Sequence, residues 1–329
     1  MNKKVKGIGL LSGGLDSMLA VKVLQEQGIE VLGLTFVTPF FGPDAGLEAG
    51  RKAGIPMLSP DISQKHLEML KKPRYGYGSQ MNPCIDCHGL MLAEAGKVME
   101  NEGADFLFTG EVLGQRPMSQ RRDSLRSVEK LSGYAGKILR PLSAKLLPPT
   151  LVEQEGLVDR DRLLDIHGRS RKRQAELAHG FGITDYPQPG GGCMLTKEGF
   201  SNKLRELLRT HPEAAVREVE IIKWGRAFSL PGENICMVGR KESENGKLDS
   251  LAGRGDVWLR TLDHPGPTCV VVAPADPLVG LQEAAELAAS YSDGPDDARV
   301  RVQWRHGDQG GIIVAEAVKK DRLKEMQIS

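Results

Sequence analysis

Residues 12–17 read Ser-Gly-Gly-Leu-Asp-Ser and follow the short apolar run Ile8-Gly9-Leu10-Leu11. No other stretch constrains the fold as tightly. An apolar strand that ends in Ser12-Gly13-Gly14 and enters a helix near Leu15 gathers backbone N–H groups, the hydroxyls of Ser12 and Ser17 and the positive end of a helix dipole at one point. That geometry suits a phosphate or pyrophosphate. The two glycines permit positive φ and close approach of an anion. Asp16 is a poor partner for phosphate but a good one for a Mg2+ ion bridging phosphates. The pattern has no Gly-Lys-Ser/Thr, so it is not the P-loop of kinases. The bland alternative is an ordinary glycine-rich turn between strand and helix.

The chain has 329 residues, enough for about two domains with ample core. Hydrophobic content of 40% and charged content of 26% are ordinary for a globular protein. Net charge is +1, so any nucleic-acid binding must come from a local patch. No apolar run is long enough to cross a bilayer, and Met1-Asn2-Lys3-Lys4 leads into a strand without a signal-peptide core. Five cysteines with one Cys-x-x-Cys suit a reducing compartment and a metal or redox site better than a disulfide framework. A cytoplasmic, membrane-free protein is expected.

Up to about residue 200 strands and helices alternate. Val5–Leu11, Ile29–Val37, Pro56–Ser59, Phe106–Thr109 and Ile138–Leu142 read as strands, and residues 17–28, 45–54 and 90–103 as helices. This order predicts a doubly wound parallel α/β sheet with its ligand at the carboxyl ends of the strands. Ser12–Ser17 and the loop Thr109-Gly110-Glu111-Val112-Leu113-Gly114-Gln115 both fall at such ends. The expected nucleotide contacts are Ser12, Gly13, Gly14, Leu15, Asp16, Ser17, Thr35, Thr109, Gly110 and Gln115. Residues 61–79 read as an irregular loop. The run holding Arg160, Arg162, Arg169, Arg171, Lys172 and Arg173 reads as a solvated helix face or, alternatively, an RNA-backbone contact.

Asn82-Pro83-Cys84-Ile85-Asp86-Cys87-His88 carries the Cys-x-x-Cys, and Pro189-Gly190-Gly191-Gly192-Cys193 adds a thiol in a glycine-rich loop. Three thiolates from two loops suit a 4Fe–4S cluster with one iron left open, so Cys84, Cys87 and Cys193 are candidate ligands. Two other readings stay open: a Zn2+ site with His88 or Asp86 as fourth ligand, and a metal-free persulfide pair. A chance pair of core thiols is the null. Cys236 and Cys269, among apolar neighbours, read as buried structural thiols.

The order of Ser12–Ser17, Thr109–Gln115 and Arg140-Pro141-Leu142 resembles the pyrophosphatase-loop (PP-loop) domain of the tRNA 4-thiouridine synthetases, over about residues 5–200. Arg116-Pro117-Met118-Ser119-Gln120 keeps the Ser-Gln of that family's Val-Ala-Ser-Gln. The 2-thiouridylases are similar, and the cysteine set resembles the cluster-binding members. The resemblance implies an ATP-dependent, AMP- and pyrophosphate-forming tRNA sulfurtransferase. ATP with Mg2+ would adenylate a uracil oxygen, and a sulfur nucleophile would displace AMP, with Asp16, Cys84, Cys87 and Cys193 catalytic. Against the longer synthetases, no RNA-binding module is expected before the first strand and no rhodanese-like segment after the last. Sulfur is then expected from sulfide or a cysteine desulfurase. The competing class is a PP-loop amidotransferase or ligase acting on a small molecule; an inactive RNA-binding protein is disfavoured by the intact loop.

Residues 201–217 are expected as a linker helix and residues 218–329 as a smaller α+β domain. Val219–Trp224, Ala227–Leu230, Ile235–Gly239, Val270–Val272 and Arg299–Trp304 read as strands, and Leu281–Tyr291 as a helix. With Gly239-Arg240, Asn245 and Asp256-Val257-Trp258, this run resembles the RNA-binding domain of the NFACT proteins. The resemblance implies a tRNA partner. Arg226, Arg240, Lys241, Lys247, Arg254 and Arg260 are expected to line one phosphate-binding face beside Trp258 and His264. Apolar neighbours favour a core position for Trp258, and His264 a turn. A homodimer stays open.

Overall fold

A computed structural model describes residues 4–186, 192–295 and 298–329. The chain divides into two compact units, Met1–Cys193 and Met194–Ser329.

In the first unit, five strands, β1 (Lys6–Leu10), β2 (Glu30–Leu34), β3 (Met57–Leu58), β4 (Phe106–Thr109) and β5 (Ile138–Leu139), form an all-parallel sheet in the order β3-β2-β1-β4-β5. The strands are almost wholly apolar, as a sheet covered on both faces requires. Helices α1 (Leu15–Gln25), α2 (Asp44–Ala53), α3 (Ser63–Lys71), α4 (Cys84–Asn101), α5 (Arg122–Ser132), α6 (Leu151–Gln154) and α7 (Lys172–Gly180) complete the unit. One core gathers Leu15, Leu19, Leu24, Phe106 and Phe108; the other gathers Ile8, Leu34, Leu92, Leu107 and Val128. This is the expected doubly wound α/β sheet. The strand order reverses between β1 and β4, which marks the crevice where such sheets bind ligands.

Two local expectations are overturned here. Residues 61–79 contain α3, because His66, Leu67 and Leu70 supply a buried stripe while the lysines stay on the outer side. Helix α4 begins at Cys84 rather than Leu90, directly after Pro83, so the Cys-x-x-Cys occupies its first turn. No helix among the described residues is long and apolar enough to cross a membrane.

The second unit is built on an antiparallel sheet of β6 (Arg226–Leu230), β7 (Asn234–Val238), β8 (Val257–Thr261), β9 (Cys269–Val271), β10 (Val300–His306), β11 (Gln309–Ala315) and β12 (Gln327–Ile328), in the order β11-β10-β8-β9-β7-β6-β12. Its helices are α8 (Glu198–Thr210), α9 (Val216–Ile221), α10 (Glu242–Leu251), α11 (Leu281–Ser290) and α12 (Lys320–Met326). Helix α11 packs on one sheet face, with Phe228, Val257, Leu259, Leu287 and Val302 in a single core. Residues 201–217, expected as a linker, belong to this unit: α8 buries Phe200, Leu204 and Leu207. Val219–Trp224, expected as a strand, is the end of α9 and a turn. The Glu218 carboxylate accepts from the Ala215 N–H at 2.8 Å and starts the helix. Cys236 and Cys269 are fully buried in the sheet.

Candidate nucleotide and thiol site

The two loops singled out from sequence leave β1 and β4, the strands that flank the reversal, with Leu10 registered beside Thr109. Gly14 is the N-cap of α1, with no side chain capping the helix. Its first turn therefore offers backbone N–H groups and a positive dipole end. Gly13 has φ +82°, and a Cβ there would stand 2.6 Å from Ala45; Gly110 lies so close to the first turn of α1 that a Cβ would stand 2.5 Å from Ser17 N. Both positions accept only glycine without displacement of backbone. Ser12 is exposed, whereas Leu15 is core and the Ser17 hydroxyl donates to Gly14 O at 2.7 Å. Thr35 is buried at the end of β2, against Gly46 of α2.

Asp16 is not simply a free metal ligand. Its Oδ2 accepts from Gln115 Nε2 at 2.8 Å and from Arg171 Nη2 at 3.0 Å. Gln174 Nε2 in turn donates to Gln115 Oε1 at 3.3 Å. Asp16 Oδ1, Arg171 Nε and Gln174 Oε1 are buried and without a hydrogen-bond partner. Arg171 arrives because the β4 loop holds its segment: Gly168 N donates to Leu113 O at 2.8 Å, and Leu113 N donates to Ser143 Oγ, which donates to Ile166 O. Of the basic run, Arg162, Arg169, Lys172 and Arg173 are exposed, as a solvated face requires, whereas Arg160 and Arg171 are half-buried. Arg171 points inward, Arg160 pairs with Glu153, Arg162 donates to Glu26 O and Arg173 pairs with Asp165.

The same loop reaches the thiols. Glu111 accepts from Thr109 Oγ1 at 3.1 Å and from Arg140 Nε at 3.0 Å, and pairs with His88 Nδ1 at 2.9 Å. Arg140 also pairs with Glu129. Burial works to raise the Glu111 pKa, but Arg140 and His88 outweigh it and hold the carboxyl down at about 2. His88 follows Cys87 directly. Cys84 Sγ accepts from Asn82 Nδ2 at 3.3 Å, and Cys87 Sγ meets His66 Nε2 at 3.1 Å. His66 is fully buried between Phe40 and Phe41, and burial lowers its pKa to about 4. Burial pushes the Cys87 thiol well up, and negative charge on Cys193, Cys84 or Asp86 pushes it further, so the three thiols feel one another.

Among the described residues no three His, Cys, Asp or Glu side chains stand ready to hold a metal ion. Asp86 and His88 are committed elsewhere, Asp86 to the N–H groups of Arg74 and Tyr75 at 2.8 and 3.0 Å and His88 to Glu111. The zinc reading therefore lacks its expected fourth ligand. Of the glycine loop before Cys193, residues 189–191 lie outside the described residues.

The site residues not anticipated are Arg171, Gln174, His66, Glu111 and Arg140. Glu111 and Arg140 sit inside recognised motifs, and Arg171 is one cation of a run; His66 and Gln174 carry no sequence signal.

In the second unit the six cations expected on one face are split. Arg226 lies over Tyr291 on the α11 side, whereas Arg260, next to Leu259 of the α11 core, projects from the opposite side of the sheet. Arg240 pairs with Glu244, Arg254 pairs with Asp308, and Lys247 lies over Trp224. Trp258 is half-buried rather than core. The His264 carbonyl accepts from Thr261 Oγ1 at 2.8 Å, which makes it a turn residue.

Fold and site define an all-parallel α/β unit with a strand–turn–helix loop at its strand-order reversal, and a separate antiparallel-sheet unit. The family described as the NFACT protein RNA binding domain matches residues 225–326. The tRNA-specific 2-thiouridylase MnmA of Pelobacter propionicus is 28% identical over 323 residues, covering 90% of this chain and 82% of that protein. The MnmA of Clostridium acetobutylicum is 36% identical over 129 residues, 33% of this chain and 36% of the relative. A probable tRNA sulfurtransferase of Thermococcus kodakarensis is 30% identical over 146 residues, 42% of this chain and 36% of the relative. The chain thus spans about a third of the length of the last two. It joins a unit similar to the PP-loop tRNA thiolases to one similar to the NFACT protein RNA binding domain.

Proposed function

We propose that the chain is an ATP-dependent tRNA sulfurtransferase that thiolates a uridine. The carrying observation is that one segment contacts the nucleotide loop through Gln115–Asp16 and the histidine that follows Cys87 through Glu111–His88.

The chain's residues suit the first step. The free N–H groups at the start of α1 and the Arg171 guanidinium face the position of a pyrophosphate, and Asp16 Oδ1 is a ready ligand for its Mg2+. The uracil oxygen attacks the α-phosphorus, the bond to the β-phosphate bridge breaks and pyrophosphate leaves. In the second step sulfide adds to the activated carbon, AMP departs with the former uracil oxygen, and one proton is lost to solvent. Oxidation state does not change. Cys87 lies close enough to Cys84 and Cys193 to feel their charge, which supports one shared site for the three thiols. Cys84, Cys87 and Cys193 would hold a 4Fe–4S cluster, which when bound supplies an iron open to sulfur. Sulfide or a cysteine desulfurase is the proposed donor.

The test is anaerobic turnover of unmodified tRNA with ATP, Mg2+ and sulfide, read as pyrophosphate formed and as thiouridine by nucleoside mass spectrometry. Pyrophosphate release that depends on a small-molecule acid or amine, with no thiouridine, would return the chain to the ligase class.

A further inference from the structure

Strand alternation sorts β8, β10 and β11 into two faces. Val257, Leu259, Val300 and Val302 point into the α11 core, so Trp258, Arg260, Arg301, Gln303 and Arg305 point away from it. Register aligns them in rows: Trp258 with Arg305 and Gly310, Arg260 with Gln303 and Ile312, and Arg301 with Val314. Helix α10 borders this face, where Asp249 Oδ1 accepts from Trp258 Nε1 at 2.7 Å. Past that contact Arg260, Arg301, Gln303 and Arg305 are exposed, and Ile312 and Val314 keep 58% and 53% of their surface.

The three strands contain no acidic residue. In a chain of net charge +1 this face alone carries three guanidinium groups. Arg301 is tied to Asp263 at 2.7 Å, while Arg260 makes no ion pair among the described residues. The Arg305 guanidinium sits 4.0 Å from the centre of the Trp258 ring. Gly310 is paired opposite Arg305, and a Cβ there would stand 3.6 Å from Arg305 Cγ.

We infer that the open face of β8, β10 and β11 holds an unpaired strand of RNA. Arg260, Arg301 and Arg305 meet phosphates, and the Trp258–Arg305 stack with Ile312 and Val314 supports bases and sugars. Cations beside an aromatic ring on a flat sheet fit single strands, whose bases can splay out to stack. The inference rests on the RNA-handling part of the proposed function and moves the contact from the α10 cations to the opposite end of the sheet.

The experiment measures binding of the full chain to an unmodified tRNA transcript and to oligouridine across a salt series. Wild type binding neither probe at any salt overturns both the face and the tRNA reading. Arg260→Gln and Arg305→Gln should each flatten the slope of log affinity against log salt by about one unit. Trp258→Leu should weaken oligouridine binding roughly tenfold or more. Lys241→Gln, an equal charge change off this face, should leave both curves in place, and melting temperatures control for folding. Full affinity in Arg260→Gln/Arg305→Gln, or a loss confined to Lys241→Gln, overturns the face and leaves the tRNA reading standing; the face would then suit a protein partner.

Discussion

Arg171 Nη2 donates to Asp16 Oδ2 at 3.0 Å across 155 residues of sequence. This pair sits among three buried, unpartnered polar atoms, Asp16 Oδ1, Arg171 Nε and Gln174 Oε1. Leaving such an atom unsatisfied costs about 1–3 kcal/mol, so a cluster of them is a site kept ready for a ligand. Magnesium and a phosphate oxygen would satisfy the carboxylate and guanidinium together.

Asp16→Ala should abolish pyrophosphate release with the fold intact, since the side chain lies in the first turn of α1 at the sheet's carboxyl edge and packs in neither hydrophobic core. Arg171→Ala should lower kcat/KM for ATP about a hundredfold, corresponding to about 2.7 kcal/mol of transition-state binding. Arg171→Lys should recover little, because a lysine has no second nitrogen in the Nε position. The rise in Tm on adding Mg-ATP should shrink in every one of these variants. Wild-type pyrophosphate formation by Asp16→Ala would remove the phosphate-loop assignment.

The Glu111–Arg140 pair makes a contrasting prediction about stability. Both side chains are almost fully buried, so Glu111→Gln leaves buried Arg140 with Glu129 as its one remaining carboxylate partner among the described residues, at a cost of about 2–3 kcal/mol. His88 is 27% exposed, and His88→Ala should cost under about 1 kcal/mol. Chemical denaturation of the first unit's transition separates the two. Equal losses would show that Glu111 is not the anchor of the loop.

What could be read in the sequence was local. The hexapeptide is a turn and a helix start directly behind β1, so it marked a strand end and the candidate phosphate site without tertiary knowledge. Arg171 could not be chosen from its run, because what brings it to Asp16 is the pairing of residues 166–168 with Leu113 and Ser143. Trp258 was misjudged for a physical reason. Val257 and Leu259 are core, but on a strand immediate neighbours point the other way. α3 was hidden by its lysines and by the Tyr-Gly-Tyr-Gly that follows, although the stripe of His66, Leu67 and Leu70 is helical in period.

His66 gives a pH dependence. Its folded pKa of about 4 lies below the usual histidine value of 6.5 because burial disfavours the imidazolium. The unfolded chain therefore binds the proton more readily. Stability is fully present above about pH 6.5 and falls as pH drops toward 4, by up to about 3 kcal/mol. His66→Gln should flatten the stability–pH curve over this interval. An unchanged slope in the variant would place the acid-sensitive group elsewhere.

The thiols make the last prediction. Cys84 opens α4, and burial together with the charge of its neighbours pushes the Cys87 thiol well up. A cluster of iron and sulfide would bind all three as thiolates. Protein isolated without oxygen should be brown and hold about one cluster per chain by iron and sulfide analysis. Cys84→Ala, Cys87→Ala and Cys193→Ala should each bleach it and stop thiolation. Pyrophosphate release should survive in all three, because the sulfur step follows adenylation. Colourless anaerobic protein with stoichiometric zinc would sink the cluster, and loss of pyrophosphate release in the same variants would mean that the thiols serve the nucleotide step as well.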